Sequence, residues 1–210
     1  MKAALVSLFL FFAFPLAFAQ QVLDTNGNPI FPGREYYILP SVAGPPGGGV
    51  KLGTTGNSKC PVTVLQGYSE VVNGIPVKFT ILALQDTRRM AAIYENTSLK
   101  IEFTKKPKCV ESSKWILFFD NEIEKACMGI GDPDDHNPDD PHIFLGTFTI
   151  KRAKFGYKLA FCYYESNCMD IGRFNKNGEG GRRLYLTKGE PFDVVFIESS
   201  SYNNGIRSVV

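Results

Sequence analysis

Between Val22 and Leu39 the chain reads V-L-D-T-N-G-N-P-I-F-P-G-R-E-Y-Y-I-L. Pro29 and Pro32 rule out a helix here, because each lacks the amide hydrogen that a helix interior needs. Asn26-Gly27 supplies positive φ at little cost, so the stretch reads as strand, turn, strand, with Val22-Leu23 entering and Glu35-Tyr36-Tyr37-Ile38-Leu39 leaving. The remainder keeps this character. No later segment sustains a 3.6-residue apolar period, and short β-branched or aromatic runs recur between clusters of Gly, Pro, Asn and Asp. Strands are expected at 36–39, 62–66, 77–82, 90–94, 99–103, 115–119, 144–150, 157–161, 183–186 and 192–197. Many short strands at this spacing define an all-β protein, a sandwich or a barrel.

What precedes Val22 is different in kind. Lys2 is followed by an apolar run to Phe18, interrupted only by Ser7 and Pro15, and then by Ala17-Phe18-Ala19 before Gln20. A basic start, a short apolar stretch and small residues around a cut site describe a secretory signal peptide, residues 1–19, cleaved after Ala19. Removing 19 residues from 210 leaves 191, enough for one domain over residues 20–210 and short for two. Without Lys2 the formal balance is 22 basic against 21 acidic residues. That near-neutrality gives no field for nucleic acid or for an anionic membrane, and neither is expected as a partner.

An exported chain makes disulfides the default state of cysteine, and the five here, Cys60, Cys109, Cys127, Cys162 and Cys168, must leave one thiol over. Spacing alone permits several pairings. Cys127, in A-C-M-G-I, sits among apolar residues and reads as a buried, inert thiol rather than a nucleophile.

The opening motif, V-L-D-x-x-G-N-P followed by G-x-x-Y-Y-I-L, resembles the plant Kunitz-type family, the soybean trypsin inhibitor-like proteins typical of legumes. With C-P-V-T-V at Cys60, C-V-E-S-S-K-W at Cys109, F-C-Y-Y-E-S-N-C-M-D-I-G around Cys162 and Cys168, and R-R-L-Y-L near the end, the resemblance runs from Val22 to Ile197. It implies a β-trefoil with pseudo-threefold symmetry, bridges Cys60–Cys109 and Cys162–Cys168, and a free Cys127. Loop-closure entropy would make the long bridge stabilise by roughly 4 kcal/mol and the short one by about 2 kcal/mol. An internal echo fits a threefold repeat: G-I-P-V-K-F at 74–79 and G-E-P-F-D-V at 189–194 lie 115 residues apart, close to two thirds of the mature chain.

The resemblance also implies an activity, inhibition of trypsin-like serine endopeptidases by a secreted or vacuolar, monomeric protein that is not an enzyme and needs no cofactor or metal. The family carries its reactive loop between two strands inside the span of the first disulfide, which here is Leu84 to Ala92. Counting back from L-K-I-E-F at 99–103 puts Arg89 at the primary position and Met90 beyond the scissile bond, with Arg88 in reserve and Thr87 and Asp86 leading in. Two departures matter. The loop is about five residues longer than in the family's best-known inhibitors, and a longer span is floppier unless something packs beneath it. The Asn that commonly braces the loop from the first turn is replaced by Pro32, leaving Asn26 or Asn28 as substitutes. The alternative these departures allow is a non-inhibitory storage or defence protein of the same fold, or an inhibitor of another protease class.

Asn96-Thr97-Ser98 is an N-glycosylation sequon seven residues past Arg89. Gly131 to His142, G-D-P-D-D-H-N-P-D-D-P-H, fails the EF-hand spacing, so a solvated acidic loop is expected rather than a metal site. Both histidines, His136 and His142, lie in it, and the chain contains no G-x-S-x-G, H-E-x-x-H or phosphate-binding glycine motif. A paired-carboxylate glycosidase has nothing positive in its favour, and a trefoil lectin lacks repeated Q-x-W motifs, the single Trp115 reading as core.

Overall fold

The computed structural model describes residues 20–42, 47–82, 92–132, 143–164 and 167–201. They form thirteen strands: β1 (Glu35–Pro40), β2 (Val50–Gly53), β3 (Thr63–Gly67), β4 (Val77–Ile81), β5 (Leu99–Phe103), β6 (Trp115–Asp120), β7 (Lys125–Ile130), β8 (Ile143–Phe144), β9 (Thr147–Arg152), β10 (Tyr157–Tyr164), β11 (Asn167–Phe174), β12 (Gly181–Thr187) and β13 (Asp193–Glu198). Where one face meets the core the side chains alternate: Leu99, Ile101 and Phe103 of β5 are buried while Lys100 is exposed.

Six strands close on themselves. The order β13-β1-β4-β5-β9-β10 returns to β13 through Tyr157↔Val194, every pair antiparallel, so this barrel has no edges to protect. The hairpins β2–β3, β6–β7 and β11–β12 cover one end. Their inner strands meet pairwise, Thr63↔Gly129, Gly181↔Gly67 and Tyr185↔Cys127, in a triangular cap. Barrel and cap together are a β-trefoil.

The register shows the threefold repeat directly. Tyr36↔Val77, Leu99↔Phe148 and Tyr157↔Val194 are the equivalent pairs within the three repeats. Four residues after Tyr36, Leu99 and Tyr157 come Pro40, Phe103 and Phe161, which pair with Val194, Val77 and Phe148 across the repeat boundaries, so two independent ladders agree. The core follows in layers: Val77, Phe148 and Val194, then Phe79, Ile150 and Phe196, all at most 3% exposed. Phe79 and Phe196 meet edge to face at 5.6 Å, a preferred aromatic geometry. Trp115 is core, against Phe103 and Phe148. The G-x-P echo leads into β4 and β13, which are equivalent strands, but Val77 and Val194 are 117 residues apart and the echo is 115. The two-residue slip preserves which side chains face inward, as a period of two requires.

Three strands were not expected from sequence, β2, β7 and β11, and all three belong to the cap. The run 144–150 is split by Leu145-Gly146 into β8 and β9. Ala92–Tyr94, the described part of the strand expected at 90–94, is not in a ladder strand, only Tyr94 forming an isolated bridge to Gln21.

Cys60 is bonded to Cys109 and Cys162 to Cys168, the second pair lying opposite one another across β10–β11. Cys127, in β7, is free and buried, and burial pushes its thiol up to about 11, so it is protonated at neutral pH. Beside it lies Arg183, wholly buried, donating through Nε to both Glu179 oxygens (3.0 and 2.8 Å) and through Nη1 to Asp120. Burial alone would lower the guanidinium's pKa, but the carboxylates of Glu179 and Asp120 outweigh it and hold it above its ordinary value.

Candidate functional site

Asp86, Thr87, Arg88, Arg89 and Met90 lie outside the described residues, as do His136 and His142. What the structure describes is how the chain is held on either side of 83–91. On the incoming side the β4–β5 ladder runs out through Ile81↔Leu99, and the Leu82 amide donates to the Ser98 carbonyl at 3.1 Å. This is the rim of the barrel, and the segment therefore starts from a fixed ladder.

The outgoing side is held by the N-terminal hairpin. Ile93 is fully buried and both its main-chain groups are used: its amide donates to the Ile30 carbonyl and its carbonyl accepts from the Val22 amide, each at 2.9 Å. The Ile30 amide in turn donates to the Val22 carbonyl at 2.9 Å. Around it, the Glu95 amide donates to the Gln20 carbonyl (2.8 Å), and the Arg152 guanidinium reaches the Gln20 side chain (3.3 Å) and Glu95 (3.2 Å).

The hairpin turn is set by Asp24. Its Oδ1 accepts the Asn26 and Asn28 amides at 2.9 and 2.8 Å, an Asx turn, with Gly27 at φ +81° where a side chain would be strained. The Asn28 side-chain amide is directed at Asp24 Oδ2 (3.5 Å), so it serves the turn itself. Pro32 is half-buried; next to it the Phe31 amide donates to the Tyr36 hydroxyl at 3.0 Å, and burial pushes the Tyr36 phenol up. The sequence does not assign Asp24, Val22, Ile30 or Ile93 to the site. The D-x-N-G-N wording signals the turn, but nothing local signals that it grips residue 93.

Asn96 is exposed, at φ +63°, in a turn where the Thr97 amide donates to the Tyr94 carbonyl (3.2 Å) and the Asn96 amide to the Ile150 carbonyl (2.9 Å). Among the described residues, no three His, Cys, Asp or Glu side chains are grouped to hold a metal ion, and no helix is long and apolar enough to cross a membrane.

A closed trefoil barrel whose long β4–β5 connection is tied to a ladder on one side and to the N-terminal hairpin on the other defines a Kunitz-type β-trefoil. The chain belongs to the legume Kunitz family of trypsin and protease inhibitors, whose profile matches residues 22–198. It is 53% identical over 191 residues to the subtilisin inhibitor CLSI-II of Canavalia lineata, covering 89% of this chain and 96% of that protein. The crystal structure of a Kunitz-type trypsin inhibitor from Cicer arietinum shares 55% identity with it, at a TM-score of 0.77 over 86% of this chain and 99% of that one. The soybean trypsin inhibitor in its complex with porcine pancreatic trypsin is 29% identical, with a TM-score of 0.71 over 86% of this chain and 99% of that one.

Proposed function

We propose that this protein is a secreted inhibitor of trypsin-like serine endopeptidases that offers residues 86–90 as a substrate, with Arg89 in the primary position and Met90 on the far side of the scissile bond. The observation that carries the reading is the two-sided mount, the Leu82–Ser98 bond on one side and the Ile93 anchorage on the other. A peptide held at both ends loses little entropy on docking, and if it is cut the new ends stay in place, so religation competes with release. The protein supplies no catalytic group. The Arg89 guanidinium meets a carboxylate at the base of a trypsin-type pocket, where a planar fork can bond both oxygens. Family membership and the relative solved in complex with trypsin support a serine protease as partner. Cleavage after Ala19 would deliver the mature chain to the secretory pathway, outside the cell or to a vacuole, as a glycoprotein carrying its glycan at Asn96 and acting as a monomer in plant defence.

The second reading is inhibition of a subtilisin-type protease through the same segment, favoured by the relative named as a subtilisin inhibitor. Titrating bovine trypsin and subtilisin in parallel with the mature protein separates them. The proposal expects one-to-one inhibition of trypsin at nanomolar concentration. Inhibition of subtilisin alone would transfer the function to the second reading, and inhibition of neither would leave a storage or defence protein.

A further inference from the structure

We infer that Val22, Ile30 and Asp24 are positioning residues for the inhibitory segment, and that the strength of inhibition depends on an intact N-terminus; this rests on the proposed inhibitory role of residues 86–90. Three main-chain bonds form a closed ring: Val22 donates to Ile93, Ile93 to Ile30, and Ile30 to Val22, each at 2.9 Å. All three residues are fully buried, so none of these bonds can be exchanged for water without opening the structure. Residue 93 is therefore fixed in both directions along the chain, three residues past residue 90, by main-chain groups. This brace is independent of position 32, where a proline can offer no side-chain amide.

The ring closes only if the hairpin holds Val22 and Ile30 in register, and Asp24 does that. It is 8% exposed, its carboxylate holds the amides of Asn26 and Asn28, and its own amide donates to the Asn28 carbonyl at 2.8 Å. The ring also begins close to the proposed mature N-terminus. Gln20 still contributes, through its carbonyl to Glu95 and its side chain to Arg152. An aminopeptidase that removed Gln20, Gln21 and Val22 would take one of the three members away and leave the Ile93 carbonyl and the Ile30 amide without their partner. The processing state of the N-terminus is thus a control on the site.

The test compares the mature chain with a form lacking residues 20–22, with Asp24→Ala, and with Asp24→Asn, which keeps the Oδ1 acceptor. Gly156→Ala, in the equivalent β9–β10 connection, serves as a destabilised control. Three quantities are read: the trypsin inhibition constant, the rate at which catalytic trypsin cuts between residues 83 and 91, and hydrogen exchange at the Ile93 amide. Truncation and Asp24→Ala should each raise the inhibition constant and the cutting rate by about tenfold or more, with faster exchange at Ile93, and Asp24→Asn should restore most of it. Unchanged cutting and exchange in both variants, or an equal rise in Gly156→Ala, would overturn the inference. If the mature chain itself does not inhibit trypsin, the inhibitory reading fails, and cutting and exchange still decide whether the ring positions the segment.

Discussion

The β4–β5 and β9–β10 connections occupy equivalent places in the repeat and are built differently. After Arg152↔Tyr157 the second closes within residues 153–156, the Ala153 amide donating to the Gly156 carbonyl at 3.1 Å. The first leaves the ladder after Ile81↔Leu99 and runs from 82 to 98 before rejoining it. Both ladders carry the same core layers, so the barrel does not need the longer route. What the longer route adds is a segment whose far end must be caught by something outside its own hairpin, and the N-terminal hairpin catches it at Ile93. The comparison teaches that stability resides in what the repeats share, and that the proposed function belongs where one of them departs.

If that division is right, substitutions in the two connections should have opposite signatures. Arg89→Ala should raise the trypsin inhibition constant by roughly a thousandfold or more, as expected for the central anchor of an interface, with an unchanged melting temperature. A loss of stability alongside, or no loss of inhibition, would break the comparison from the functional side. The mirror experiment is Gly156→Ala. Gly156 sits at φ +74°, and a Cβ there would lie 2.5 Å from the Val194 carbonyl oxygen, so strain and overlap together should cost about 3 kcal/mol. For a chain of this size that lowers the melting temperature by roughly 10 °C, while the inhibition constant should stay as it was.

The same division explains what could be read from the sequence. Barrel strands such as Leu99–Phe103 have one face on the core and one in solvent, and their alternation is visible residue by residue. The cap strand Lys125–Ile130 buries Cys127, Met128, Gly129 and Ile130 in succession, because it is covered from both sides, and so shows no period at all. Asn167–Phe174 lacks a strand signal for a different reason: its first half, Asn167 to Asp170, is exposed or only partly covered and includes Asn and Asp, and Gly172 follows in the buried part, all residues depleted in strands. The disulfide pairing came through likeness to a family, since spacing leaves it open. Arg89 was nameable only in the same way, and the Ile93 anchorage was invisible, because a hydrogen bond between residue 22 and residue 93 leaves no local pattern at either.

The smallest predicted effect concerns Asn96 in the long connection, which, like Gly156 in the short one, carries positive φ. Asn tolerates this region better than other non-glycine side chains, so at 96 a sequon residue also holds the turn. Asn96→Gln, the customary way to remove a glycan, therefore changes two things at once. It abolishes the acceptor and places a longer side chain in a conformation it disfavours, at a cost of about 1 kcal/mol, or roughly 2–4 °C in melting temperature. Asn96→Gly removes the acceptor without that strain. Ser98→Ala removes the sequon without touching position 96, and the Ser98 carbonyl that receives the Leu82 amide is retained. Expressed without glycosylation, the Gln variant should melt below the wild type while the Gly and Ala variants should not. Equal melting temperatures for all three would mean that the turn at 96 relaxes freely and that the two connections are less alike than their backbones suggest. Expressed with glycosylation, Ser98→Ala is then the variant whose inhibition constant isolates the glycan, and a change of a few-fold would place the sugar at the rim of the docked protease rather than beneath it.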